Sequence, residues 1–146
     1  MRRQAGTFGT YLLQLANARA LELAIGRLGR MRVEPGYFVY VGSAFGPGGI
    51  RARVGHHAKT CGKPHWHIDY LRAVAALQQA WCVYDFRCEH DWAQRLMQCK
   101  GATIPLAGFG ASDCNCTTHL FRFSQRPGKA QLEKLLNSKL VTLDLC

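Results

Sequence analysis

Tyr11, Tyr40, Arg53, His57 and Glu89 occur in that order along the chain and together hold the groups that hydrolysis of a phosphodiester needs. A glutamate can fix a divalent metal, a guanidinium can neutralise phosphate charge, and a tyrosine or histidine can handle the proton of an attacking water. Arginine suits the second task better than lysine, because its planar fork matches phosphate oxygens. Mg²⁺ or Mn²⁺ takes oxygen ligands and retains several waters, so Glu89 by itself is the expected metal ligand. Only nine Asp+Glu are spread over 146 residues, a composition that suits a one-glutamate site better than a two-metal site. Free tyrosine titrates near ~10, so Tyr11 or Tyr40 needs the metal or a cation beside it to act as a base. The sequence does not choose between the two tyrosines.

Taken singly, these residues have plainer readings. Glu89 opens a helical segment, where an acidic side chain favours the helix dipole. Tyr11 and Tyr40 would be ordinary strand aromatics, and Arg53 with His57 a solvated helix face. Their order moves the reading toward a site. The spacing of Arg53 and His57, four residues apart, also places both on one side of a helix over 50–59. The charge balance agrees, since 19 Lys+Arg against 9 Asp+Glu give a net charge of +10. That excess favours a polyanion, nucleic acid before anionic membrane. DNA contacts are expected from Gly42 and Ser43 and from the cations Arg51, Lys59 and Lys63.

These side chains need elements to hold them. Strands are expected over 7–15, 21–25, 37–41, 79–86 and 119–123, where β-branched and aromatic residues gather. Helices are expected over 50–59, 66–77, 89–98 and 130–136 from their apolar spacing. Gly26, Gly29 and the Pro35-Gly36 pair read as punctuation between strands, and residues 46–49 as a sharp strand-to-helix turn. That glycine loop lacks the Lys-Ser/Thr ending of a P-loop, although its N–H groups could touch a phosphate. Trp66, Trp81 and Trp92 are expected in the core. With 48% hydrophobic residues and no long linker or repeat, the chain reads as one α/β (α+β) domain over 1–146. Its core is expected over 7–123, with a C-terminal helical extension over 124–146.

The motifs Gly9-Thr10-Tyr11 and Tyr40-Val41-Gly42, the Arg53/His57 helix and the later Glu89 resemble the GIY-YIG nuclease superfamily. Residues 35–44, 65–71 and 108–114, with the Trp92-Ala93 pair, look like its small prokaryotic Uri-type branch, and the likeness spans roughly 9–123. The resemblance implies a small domain with a mainly antiparallel central sheet flanked by helices. It also implies a metal-dependent DNA endonuclease serving DNA repair or processing. Carried over residue by residue, its site is Tyr11, Tyr40, Gly42, Arg53, His57 and Glu89. Two departures stand out. The tyrosines are further apart than in compact members, with the 21–25 strand and its loops filling the gap as an insertion. The late asparagine of many members has no secure counterpart, with Asn115, Ser112 and Asp113 nearest. Two alternatives remain: a nucleic-acid-binding module of this fold without catalysis, and a zinc-stabilised structural or interaction protein.

The zinc alternative rests on Cys114, Cys116 and His119, joined across the fold to His65, His67 and Asp69. The C-x-C spacing is not that of a standard finger, so the favoured reading is structural: buried thiols, with His and Asp side chains hydrogen-bonding loops near the site. Seven cysteines at irregular spacings read as reduced thiols in a cytoplasmic protein. No segment has the ~18 uninterrupted apolar residues of a membrane helix, and the N-terminal segment is a poor secretory signal.

Overall fold

The nine residues of β1 (Gly9–Asn17) turn Tyr11, Leu13 and Leu15 to one face and Leu12 to the other, all buried. A strand apolar on both faces must be covered on both, and β1 accordingly lies at the centre of the molecule. The computed structural model describes residues 6–59, 62–111 and 114–145. Among them the chain continues as β2 (Leu21–Ile25), β3 (Gly29–Val33), β4 (Gly36–Ala44), α1 (Gly49–Ala58), α2 (His67–Arg72) and β5 (Ala76–Tyr84). Then follow α3 (Glu89–Met97), β6 (Leu120–Phe123), α4 (Lys129–Leu136) and β7 (Val141–Thr142). The main sheet has the order β6-β4-β1-β5-β7, antiparallel throughout, and β2 with β3 forms a separate two-stranded sheet. The fold is therefore mixed α/β, as expected.

Two cores result from the strand alternation. On one face Tyr11, Leu13, Phe38 and Tyr40 pack against Ile50 and Val54 of α1, Ile68 and Leu71 of α2, and the β2–β3 hairpin. On the other, Leu12, Val39, Val41 and Trp81 pack against Trp92 and Leu96 of α3 and Leu132 and Leu136 of α4. The hairpin supplies Ile25, Met31 and Val33 to the first core, so the stretch separating the two tyrosines is packed into the domain.

Several expectations need correction. No strand is expected between the punctuating Gly29 and Pro35, but β3 forms there: Met31 and Val33 are buried while Arg30 and Arg32 are exposed, a period-two pattern. Helix 66–77 stops at Arg72, because Ala76 and Leu77 pair with Ala16 and Leu15 of β1, and ladder hydrogen bonds override the apolar spacing. Residues 124–145 are no appendage: α4 packs on α3, and β7 adds to the sheet beside β5. Trp92 and Trp81 are core residues, whereas Trp66 is half-buried and lines a cleft.

The turn into α1 shows why glycine is needed there. Gly49 has φ +62°, and a Cβ would overlap the Thr7 carbonyl, which accepts the Ile50 N–H at 2.8 Å. Trp92 anchors α3 and with it Glu89. Trp92→Ala should lower folding stability by about 3–5 kcal/mol in denaturant titration. A loss under about 1 kcal/mol would mean that α3 does not depend on this ring.

Candidate active site

At the end of β4 the two faces of the sheet meet. Tyr40 and Gly42 point to the side of α1, and Ser43, between Gly42 and Ala44, points to the side of α3. A cleft of about 310 Å³ opens there. Tyr40, Gly42, Arg53 and Trp66 line one side, Ser43, Glu89 and His90 another, and Cys114 and His119 close it.

Each wall has a local cause. On α1, Ile50, Val54 and His57 recur at helical spacing and are buried, which leaves Arg53 half-buried and facing the cleft. The Arg53 guanidinium stacks over Trp66 at 4.2 Å and donates to the Ser43 carbonyl at 3.4 Å. Such stacking holds the fork in place with donors to spare. Arg72 of α2 donates to the His57 and Ala58 carbonyls at 2.7 and 3.4 Å, tying down the end of α1. Asp69 accepts the His65 and Trp66 N–H groups at 2.7 and 2.9 Å at the start of α2, and meets His56 Nε2 at 3.1 Å. On the other face of β1, the Thr10 hydroxyl donates to Phe86 O and accepts Cys88 N–H, each at 2.9 Å. That pin fixes where α3 begins, and hence Glu89.

Tyr11 sits behind the cleft wall. It is 1% exposed, and its hydroxyl lies 2.7 Å from His57 Nε2, itself 1% exposed. Tyr40 is tilted against the Tyr11 ring and meets the His57 ring edge-on. Burial raises both tyrosines above their ordinary range, with Tyr40 acting on Tyr11 and the Glu89 charge on Tyr40. Arg53 pulls both the other way. Burial lowers His57 to about 3, against the pull of Asp69. A neutral imidazole and a protonated Tyr11 hydroxyl therefore share this hydrogen bond, while His57 Nδ1 lies 3.8 Å from Asp69 Oδ1 without one.

Glu89 is a carboxylate despite burial, which opposes its charge, because His119 and then Ser43 lower it. The Ser43 hydroxyl donates to Oε1 at 3.2 Å, and His119 Nδ1 lies 3.2 Å from Oε2, off the hydrogen-bonding direction. Each oxygen keeps a further lone pair, so the carboxylate can also take a cation.

The fold thus brings together Tyr11, Tyr40, Gly42, Ser43, Arg53, His57 and Glu89. It does not bring Arg51 and Lys59 to this cleft: they line a separate groove beside Leu143 and Leu145. Lys63 is exposed on the segment leading to α2. Asn115 is exposed and lines a neighbouring hollow, and Ser112 and Asp113 lie outside the described residues. The residue seated beside Glu89 is instead His119, expected at a strand start and among the thiols but not at the site. Trp66 was likewise missed as a site-builder, whereas Asp69 and His67 hydrogen-bond backbone near the site as expected. Asp69 three residues after Trp66 was the available signal, since that spacing suits a helix-start cap.

The alternative grouping of His65, His67 and Asp69 with the thiols is not formed among the described residues. His67 Nδ1 accepts the Gly110 N–H at 2.8 Å, docking the following loop on α2, and Asp69 joins His56 and His57. His90 of α3 is the residue that meets Cys114 and Cys116.

A family profile described as "Domain of unknown function DUF123" matches residues 10–141, nearly the whole chain. The chain belongs to this family. No curated protein and no solved structure matches it.

Gly42 lies opposite Tyr11 in the β1–β4 pairing, and a Cβ there would overlap the Tyr11 ring and hydroxyl. Gly42→Ala should cost about 1–3 kcal/mol by denaturant titration. It should also displace Tyr11 from His57; a crystal structure of the variant with that bond intact would refute this account.

His57 sets a pH dependence. The unfolded chain takes up the imidazole proton near 6.5, while the folded site resists it down to about 3. Stability is therefore full above 6.5 and falls as pH drops through that window, by at most about 1.4 kcal/mol per pH unit. His67, lowered by burial, acts in the same sense. His57→Gln should lose less stability between pH 7 and pH 5 than the parent. Equal losses in urea titrations at the two pH values would contradict it.

Proposed function

We propose that this protein is a divalent-metal-dependent endonuclease that hydrolyses phosphodiester bonds in DNA, with a site resembling that of GIY-YIG nucleases. The observation that carries the reading is the convergence of Tyr40, Arg53 and Glu89 on one cleft, with the Tyr11–His57 pair enclosed behind it. Its seven cysteines suit a reducing cytoplasm. No helix among the described residues is long and apolar enough to cross a membrane.

Glu89 fits Mg²⁺ or Mn²⁺: it is ionised, half-buried and open to the cleft, with the Ser43 hydroxyl as a second oxygen beside it. A hard cation on one carboxylate would complete its shell with waters. Such an ion supplies charge that neutralises the phosphate and acidifies water. The chain's own groups do the rest. The scissile phosphate rests between Arg53 and Glu89, and the guanidinium, braced by Trp66 and Ser43, donates to the phosphate oxygens as charge develops. Tyr40 faces the cleft and orients the attacking water through its protonated hydroxyl; as the water oxygen bonds to phosphorus, its proton passes to solvent water. The ester bond to the departing oxygen then breaks, and that oxygen takes a proton from solvent. Tyr11, closed off from the cleft, holds neutral His57 and sets the position of Tyr40.

The test is incubation with duplex, flap and single-stranded DNA in Mg²⁺ or Mn²⁺, and in chelator. Glu89→Gln keeps the side-chain volume but removes the charge, so cleavage should fall by orders of magnitude while DNA affinity persists or rises. Asp91 is exposed and paired with Arg95 at 2.9 Å, so Asp91→Asn should cleave like the parent. Cleavage unchanged in Glu89→Gln removes the one-glutamate site.

DNA binding should also weaken steeply with salt, by ~0.9 log units per log unit of salt for each neutralised phosphate. An affinity flat across a salt titration rejects DNA as the partner.

A further inference from the structure

We propose a zinc site at the edge of the cleft, formed by Cys114 and Cys116 with His90 of α3, and with His119 beside Cys114. The inference stands apart from the nuclease reading, since it concerns other ligands and a softer ion. The ligand atoms of His90, Cys114 and Cys116 all lie within 4.8 Å of one another. Ligands of a tetrahedral zinc at ~2.3 Å for sulfur and ~2.0–2.1 Å for nitrogen stand roughly 3.5–3.8 Å apart. His119 Nε2 is 3.4 Å from Cys114 Sγ, close to that separation.

The second nitrogen of His119 strengthens the case. Nδ1 is buried, lacks a hydrogen bond and lies 3.2 Å from the Glu89 carboxylate. One nitrogen lies toward a thiol and the other near a carboxylate, the pair of neighbours that metal-binding histidines have, although no hydrogen bond joins Nδ1 to Glu89 here. The Cys116 N–H also points at Cys114 Sγ, at 3.4 Å, which favours charge on that sulfur. Two thiolates and neutral imidazoles make a nitrogen–sulfur set suited to zinc, whereas Mg²⁺ and Ca²⁺ take oxygen. Binding releases both thiol protons to solvent and leaves the site neutral. The C-x-C spacing by itself argued against a finger. The fold supplies what spacing lacked, because the third ligand comes from α3.

A filled site would tie residues 114–119 to α3 and so fix the wall that carries His119 against Glu89. The test reads metal and needs no cleavage, so its outcome is separable from that of the nuclease assay. The full chain, kept reduced and purified without chelator, is loaded with equimolar Zn²⁺, desalted and analysed for zinc. Parent and Cys99→Ser, which alters a thiol outside the cluster, should each retain one zinc per chain. Cys116→Ser should retain none. His90→Ala, at an exposed position that leaves the core intact, should bind at least about tenfold more weakly in competition with a chromophoric chelator. Cobalt in place of zinc should give thiolate-to-metal charge-transfer absorption in the parent that Cys114→Ser loses. Thermal unfolding of His90→Ala without metal checks that its fold is kept. A parent that retains no zinc overturns the proposal, as do variants that hold zinc as tightly as the parent.

Discussion

Antiparallel pairing sets Tyr11 opposite Gly42, and the rest of the site depends on that position. Because Gly42 has no side chain, the tyrosine ring lies against the partner strand and its hydroxyl reaches His57 Nε2. Both groups are enclosed, so an unmade bond would leave two buried polar atoms unsatisfied at about 1–3 kcal/mol each. A slip of one residue would turn Tyr11, Leu13 and Leu15 to the opposite face. The pairing that buries the first core is thus the same pairing that aims the tyrosine.

From that register the other side chains follow through the two layers. Tyr40 and Gly42 leave β4 toward α1, and Ser43 leaves it toward α3. The cleft therefore gathers Arg53 from one layer and Glu89 from the other at a single strand end. Strand β1 acts on both sides as well. Tyr11 holds His57 on one face, and Thr10 pins the start of α3 on the other. Arg72 adds a clamp at the end of α1, where its guanidinium meets the last carbonyls.

The electrostatics of the cleft reflect how isolated Glu89 is in a chain with net charge +10. It is the one carboxylate lining the cleft among the described residues, and His119 and Ser43 keep it charged despite burial. Asp69, the nearest acidic residue to His57, is occupied with two backbone N–H groups and His56. Burial keeps His57 neutral and both tyrosines protonated, so the enclosed part of the site carries no charge of its own. Added positive charge at Glu89 would thus act directly on Tyr40, whose hydroxyl the glutamate now pushes up.

Much of this protein was legible in its residues because the signals were local. Strands β1, β4 and β6 announced themselves by β-branched and aromatic runs, and α1, α3 and α4 by apolar spacing. Arg53 and His57 shared one helix, and the order of the site residues was readable along the chain. β7 and the true start of β5 were not, because Val141 and Ala76 take strand conformation from partners distant in sequence, while β3 was missed although Met31 pairs with nearby Leu23 in a hairpin. Trp66 read as core because composition cannot tell a ring that buries both faces from one that presents a face to an arginine. His119 and His90 were beyond sequence reasoning for the same cause. The first lies beside Glu89 because β6 pairs with β4, and the second meets Cys114 and Cys116 because α3 packs across the sheet end. Local propensity decided which segments became helix or strand. The long-range pairing of β1, β4, β5 and β6 decided which side chains share a cleft, since only closing those loops brings residues 11, 42, 57, 89 and 119 together.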